Sequence, residues 1–332
     1  MLKENDIFNS LVMRDIIDLM EDTFKLYHDG KASMPSKLYL HAKEGDFRAM
    51  PAMVGDVSGI KWASVYPNNK QRNLPTVLAT MMLNDCNTGK LLLTMDGVKI
   101  TTYRTAAVTG LATRHLSNPD SKEAAFIGCG AQTSYQIEAI CSERDIEKIH
   151  LYDLNYETSK KLSSELDIPS IVHNSIQECV EQADVVTTLT TSTKPIIKSE
   201  WIKKGAHINA IGADAEGKQE FYPDIFETCK LIVVDDKEQA FHSGETQHSG
   251  KLKAWDGVCG TNLGRKDIDW PTLVELKDIV GAPSLCCGGT FVGAKVGSIE
   301  KEDITLFDST GLAIEDVALT NYIYKNFVKD EN

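Results

Sequence analysis

The residues of this chain best placed to do chemistry lie at the end of an apolar run, Ala206–Glu220, which reads AHINAIGADAEGKQE. The run predicts a buried strand that gives way to a loop at Gly212-Ala213-Asp214, and open α/β sheets bind ligands at the carboxyl ends of their strands. Asp214 is therefore a candidate acid–base residue. Upstream, Ala125-Phe126-Ile127 feeds into Gly128-Cys129-Gly130-Ala131-Gln132-Thr133. Glycines at the first two positions of such a turn let a pyrophosphate approach the N-terminus of the following helix. Thr133 stands where the usual pattern has its third glycine, and the helix is expected to run through about Cys141. The next strand ends in Asp153, at roughly the spacing from which an acid binds the adenine ribose diol. A 2′-phosphate would be repelled by that carboxylate, and no arginine follows closely, so NAD is expected and NADP is disfavoured.

Two cations stand where no structural reason demands them. Lys61 lies inside Gly59-Ile60-Lys61-Trp62-Ala63-Ser64-Val65, a run otherwise fit for burial. A buried lysine is costly unless paired, so it should face a carboxylate or a ligand. Arg104 is surrounded by small residues in Thr101–Ala107 and has room to present its fork to a carboxylate. For both, a structural ion pair is the alternative reading.

The elements that must position these residues fall into two groups. Asn9 to Tyr27 reads as an amphipathic helix burying Leu11, Val12, Ile16, Leu19, Met20, Phe24 and Tyr27. Short runs from Leu38 to Leu83, broken by Gly, Pro and Asn, read as antiparallel strands, and Asn84–Gly89 as a hairpin leading into Leu91–Met95. A helix follows from Ile100 to Leu116. Beyond Glu123 strand and helix alternate, with strands at Ala124–Ile127, Lys148–Tyr152, Val185–Leu189, Ala206–Ile211 and Leu231–Val234. Such alternation predicts a parallel sheet covered on both faces. Ile314–Phe327 reads as a helix packing back on the first domain, and Cys286–Gly297 is left unassigned.

The fold class is thus α/β: a Rossmann-type, doubly wound parallel sheet with a second, α+β domain for substrate and dimerisation. The boundaries are placed at residues 1–118 with 312–332 for the latter and 119–311 for the former.

At 332 residues the chain suits two domains. A net charge of −13 disfavours nucleic acid and anionic membrane as partners. No apolar run approaches the roughly 20 residues that cross a bilayer, and no signal-peptide pattern opens the chain. The eight cysteines are scattered without a CxxC pair, which reads as reduced thiols and no zinc. His242–Gly244 and His248–Gly250 repeat His-Ser-Gly, read as mobile loop histidines without acidic partners rather than metal ligands. A soluble cytoplasmic protein with no metal is expected.

In Phe47-Arg48-Ala49-Met50-Pro51, Gly59-Ile60-Lys61-Trp62, Leu74-Pro75-Thr76-Val77, Arg104-Thr105-Ala106-Ala107, Ile127–Thr133, Asn209–Glu220 and Phe307-Asp308-Ser309-Thr310-Gly311, the chain resembles the ornithine cyclodeaminase/mu-crystallin family, which also contains archaeal-type alanine dehydrogenases and imino-acid reductases. The resemblance covers nearly the whole chain. It implies a homodimer built through the first domain and a small amino-acid or imino-acid substrate bound against the nicotinamide. It assigns the substrate carboxylate to Lys61, Arg104 and Thr76, and the catalytic acid to Asp214, with Lys61 also in the catalytic set. The family's further arginine corresponds to Lys37, which keeps the charge but loses the bidentate fork. Cofactor contacts carry over to Thr105, Gly128, Gly130, Ala131, Gln132, Thr133, Asp153, Thr190, Lys218 and Ser309. The cyclodeaminase proper has a glutamate where this chain has Arg48; a cation facing the δ-ammonium of ornithine is repulsive if it points into the pocket. The implied activity is NAD-dependent hydride transfer at an amino-acid Cα. A cyclodeaminase sharing that first step is the near alternative, and a ligand-binding protein like mu-crystallin is the distant one.

Overall fold

In the computed structural model, residues 4–249, 272–281 and 299–329 are described. The chain divides into two compact units, Met1–Leu111 with Gly311–Asn332, and Ala112–Thr310. The change of unit falls inside the helix Val98–Leu116 rather than after it. The physical reason is that the last turns of this helix bond to the second unit: Asn209 donates to Thr113 Oγ1 at 3.1 Å, and Thr305 Oγ1 to the Leu116 carbonyl at 3.0 Å.

The first unit is built on a 6-stranded antiparallel sheet. Its strands are Ala32–Ser33, Leu38–Ala42, Gly45–Val54, Val57–Val65, Val77–Asp85 and Leu91–Asp96. The hairpin after Val77–Asp85 turns because the Asp85 carboxylate accepts the N–H groups of Asn87 and Thr88, an Asx-type closure. In Val57–Val65, Val57, Gly59, Lys61 and Ala63 share the buried face, while Trp62 points the other way. The helix Ala313–Ile323 is buried through almost its whole length and packs on this sheet. The helix expected from Asn9 to Tyr27 runs instead from Met13 to His28, and a short helix, Glu4–Asn9, precedes it. Ser10 Oγ donates back to the Ile7 carbonyl at 2.7 Å and ends the first of them. The buried set of the second is Met13, Ile16, Ile17, Met20, Thr23 and Phe24, and Val12 is exposed.

The second unit carries an 8-stranded parallel sheet. Its order is Thr272–Glu275, Leu231–Val234, Thr305–Asp308, His207–Ala210, Val185–Thr188, Glu123–Ile127, Lys148–Tyr152, Ser170–Val172. Alternate residues enter different cores: Ala124 and Phe126 pack in one, Ala125 and Ile127 in the other. Both faces are therefore covered, which is why the strands read as continuous apolar runs. Strand order reverses between Glu123–Ile127 and Val185–Thr188, the switch point at which such sheets bind ligands. Thr305–Asp308, late in sequence, sits mid-sheet, and Thr193–Ile197 with Gln219–Phe221 forms a small separate parallel pair; neither was expected. The Cys286–Gly297 segment lies outside the described residues. Among the described residues, no helix is long and apolar enough to cross a membrane.

Candidate functional site

In the first unit the two cations singled out by sequence meet one another's partners. Lys61 is 3% exposed, with its Nζ 2.7 Å from Asp316 Oδ2 and donating to Thr101 Oγ1 at 3.1 Å. Arg104 donates from Nε to Asp316 Oδ1 at 3.1 Å and from Nη1 to Glu315 Oε2 at 2.6 Å. Asp316 thus bridges both cations, and both acids are fully buried on the helix Ala313–Ile323. Gly311 lets the guanidinium approach: its φ is +77°, and an added Cβ would lie 3.0 Å from the Arg104 Cζ.

Burial pushes the Lys61 pKa down to about 8; Asp316 opposes this, while the positive charges of Arg104 and Lys37 add to it. Burial also works against the charge of Arg104, but Asp316 and Glu315 outweigh it and raise its pKa. Lys37 is half-buried and close enough to act on Lys61. Thr76 is half-buried just before Val77–Asp85, and its carbonyl accepts the Tyr66 N–H at 2.8 Å.

Arg48 does not point to solvent. It is 9% exposed, sits opposite Ala63 in the strand register, and therefore shares the face that carries Lys61. Its Nε donates to Asp46 at 2.7 Å, and its guanidinium lies 5.4 Å from the Tyr39 ring centroid.

In the second unit the glycine turn follows Glu123–Ile127 and leads into the helix Thr133–Glu143. Gly128 has φ +96°, and a Cβ there would lie 3.1 Å from the Leu189 backbone. Thr133, in the place of the third glycine, is buried and donates to the Gly128 carbonyl at 2.9 Å, closing the turn. Asp153 accepts the Cys129 N–H on Oδ2 at 2.8 Å and the Asn155 N–H on Oδ1 at 2.9 Å. The acid and the turn are thus tied together.

These residues fit a dinucleotide. A Cβ at Gly130 would meet nothing within 4 Å, so there is open space at the turn. Ala131 is exposed, and Gln132 Oε1 is buried without a hydrogen-bond partner among the described residues. Thr105 is buried with its carbonyl bonded to Thr109.

The Asp214 loop joins His207–Ala210 to Gln219–Phe221. Asp214 Oδ1 is ion-paired with Lys218 Nζ, which also donates to the Gly212 carbonyl at 3.2 Å. Lys218 and Asp214 are both partly exposed. Thr190 is committed through N–H and hydroxyl to Glu220 Oε1, both at 2.7 Å. Ser309 Oγ reaches Asp235 at 3.4 Å. His248, expected to be mobile, is anchored instead: its Nε2 bonds the Lys218 carbonyl at 2.7 Å. Its partner is a backbone carbonyl.

Sequence reasoning missed the carboxylates that organise both regions. Glu315 and Asp316 interrupt an otherwise apolar helix, the same signal that exposed Lys61. Glu220 is fully buried and accepts from Thr188, Thr190 and, at 3.0 Å, the Gly212 N–H; burial raises its pKa. Glu245 accepts the N–H groups of Glu220 and Phe221, and burial pushes its pKa up to about 8. Asp308 accepts those of Glu245 and Thr246, and burial takes it to about 7. Among the described residues no group of His, Cys, Asp and Glu is arranged to hold a metal ion.

Residues 1–331 match the ornithine cyclodeaminase/mu-crystallin family. The chain belongs to this family. Alanine dehydrogenase of Archaeoglobus fulgidus is 39% identical over 327 residues, 98% of this chain and 94% of that protein. Among solved structures, an archaeal alanine dehydrogenase dimer with bound NAD superposes with a TM-score of 0.86 at 36% identity, covering 100% of this chain and 96% of its own. Thermococcus litoralis Δ1-pyrroline-2-carboxylate reductase, in complex with NADH and L-proline, gives 0.83 at 32% identity, covering 97% and 95%. Membership of the ornithine cyclodeaminase/mu-crystallin family by itself leaves the reaction open, since its members named here include both a dehydrogenase and a reductase.

Proposed function

We propose that the chain is an NAD-dependent amino-acid or imino-acid oxidoreductase with alanine dehydrogenase-like chemistry. The observation that carries this reading is the buried charge cluster: Lys61 and Arg104 share the Asp316 carboxylate, Glu315 pairs with Arg104, and Lys37 adds a third positive charge within reach of Lys61. A substrate carboxylate balances that excess of positive charge. Lys61 and Arg104, with Lys37 and Thr76, hold that carboxylate, and the restraint fixes the orientation of the Cα–H bond. When bound, NAD accepts the hydride from Cα. Asp214 takes the proton from the substrate amine or from the water that attacks the imine. Gly128 to Thr133 and Asp153 hold the dinucleotide, with Thr105, Thr190, Lys218 and Ser309 as further contacts, and the Asp153 carboxylate favours NAD over NADP. Hydrolysis of the imine then yields a keto acid and ammonia.

Arg48 favours this outcome over ornithine cyclodeamination. It shares a sheet face with Lys61, where its charge opposes a second ammonium on the substrate. The outward face of the same sheet presents Leu38, Leu40, Trp62, Leu78 and Met82 to solvent, each more than two-fifths exposed. An apolar face of this kind supports a homodimer. Five free cysteines among the described residues suit the reducing cytoplasm.

The decisive experiment offers purified protein NAD and a panel of amino acids and follows NADH and ammonia together. Equal amounts of both are expected. Ammonia without net NADH would identify a cyclodeaminase, and neither product from any amino acid, with NAD still bound, would leave only a ligand-binding role.

A further inference from the structure

We propose that the short 3₁₀ helix Glu245–His248 is the positioning element of Asp214, with Gln247 and His248 as its working residues; this rests on the reading of Asp214 as the proton acceptor. The turn lies outside the cofactor and substrate motifs assigned above, yet its side chains converge on the backbone that flanks Asp214. Gln247 Oε1 accepts the Gly217 N–H at 2.8 Å. Its Nε2 donates to the Gly244 carbonyl at 2.8 Å and reaches those of Ala215 and Lys218 at 3.3 and 3.4 Å. His248 Nε2 lies 2.7 Å from the Lys218 carbonyl; a carbonyl only accepts, so this nitrogen carries the proton. Glu245 takes the N–H groups of Glu220 and Phe221 where the loop re-enters a strand.

The turn is itself fixed. Asp308, at the end of a central strand, accepts the N–H groups of Glu245 and Thr246 at 2.9 and 2.8 Å. Glu220 pins the near end of the loop through the Gly212 N–H. Between these tethers stands Asp214, ion-paired with Lys218, the residue whose carbonyl receives both His248 and Gln247. The turn therefore sets where Lys218 lies, and Lys218 sets where the carboxylate lies. Loops carry unsatisfied backbone groups and move unless such partners are supplied. Misplacing a reacting group by about 1 Å can cost on the order of a hundredfold in rate.

The test uses the full chain with NAD and its best amino-acid substrate. Gln247→Met keeps the volume and removes the polar atoms; His248→Phe removes the donor; His248→Gln keeps one. Gln247→Met and His248→Phe are expected to lower kcat by about ten- to a hundredfold, with the amino-acid KM unchanged and any loss of NAD affinity, through Lys218, much smaller than the loss of rate. His248→Gln is expected to recover most of the rate, which a purely structural role for the ring would not allow. Wild-type kcat in Gln247→Met and His248→Phe would overturn the proposal, as would a loss of NAD affinity in step with rate. Asp214→Asn separates the two levels of inference. If it is inactive while the turn variants are not, only the positioning role falls; if it turns over normally, the acid assignment falls with it.

Discussion

In the antiparallel unit, buried charges meet side chain to side chain: Lys61 and Arg104 against Asp316 and Glu315. In the parallel unit, Glu220, Glu245 and Asp308 have no such cations in their hydrogen bonds among the described residues and are held by backbone N–H groups and, for Glu220, threonine hydroxyls. The difference separates two tasks. Counter-ions keep lysine and arginine charged in a low-dielectric face, ready for an anion. Amide donors instead bind carboxylates to loops, so each acid orders backbone at the carboxyl edge of the sheet. One arrangement stores charge for a ligand; the other stores shape for a neighbouring residue.

The strongest challenge to this division is Asp214→Asn. Loss of a general base should lower kcat by about 10²- to 10⁴-fold while NAD binding, measured by fluorescence titration, is retained. Asp316→Asn comes next. It removes the anion shared by both cations, and the amino-acid KM should rise by about tenfold or more. The sign of its pH effect is fixed, because Asp316 raises the Lys61 pKa. In the wild type, KM should climb as pH passes about 8, where Lys61 loses its charge; in the variant the climb should begin at lower pH. An unchanged profile would show that the lysine charge does not hold the substrate.

Arg48→Met has a smaller expected effect. Removing a like charge from the Lys61 face should improve kcat/KM for ornithine relative to alanine by about tenfold, as a kcal/mol-scale repulsion requires; an unaltered ratio would place Arg48 away from the substrate side chain. The smallest effect concerns stability in the other unit. Carboxyls with folded-state pKa values raised to about 8 for Glu245 and about 7 for Asp308 hold their protons longer when folded than when unfolded. Their contribution is present at low pH and is lost as pH rises towards those values. Tm should therefore decline as pH rises from about 4 to about 8, by roughly a few degrees, and level off above, and Glu245→Gln should flatten the decline.

The parallel unit was the more legible in sequence. Buried parallel strands are continuous apolar runs, and Ala124–Ile127 or Leu231–Val234 announce themselves. Thr305–Asp308 did not, because its four residues TLFD are too short and too polar at the ends to differ from a loop, although every one is buried. Asp153 and the glycine turn could be read from spacing, since the chemistry of a helix N-terminus is local. The partners of Lys61 and Arg104 could not: Asp316 lies 212 residues from Arg104, and no local pattern encodes such a meeting. What sequence did supply was the demand for a partner, since a lysine in an apolar run must be answered somewhere. The short helix Glu4–Asn9 and the start of the next at Met13 were not legible, because no Gly or Pro marks the break between them; a serine hydroxyl turns back on Ile7 there.

The last strand and the last helix also order events on the ribosome. A chain emerging from its N-terminus exposes Lys61 and Arg104 long before Asp316 arrives, and at 5–20 residues per second the wait across 212 residues is roughly 10–40 s. Over roughly the last third of that interval Leu231–Val234 and His207–Ala210 lack the strand that joins them, leaving open edges that invite pairing with other nascent chains. A stop codon between the strands Leu231–Val234 and Thr305–Asp308 therefore yields no half-protein with one sound unit. It releases two unfinished cores, substrates for chaperones and proteases.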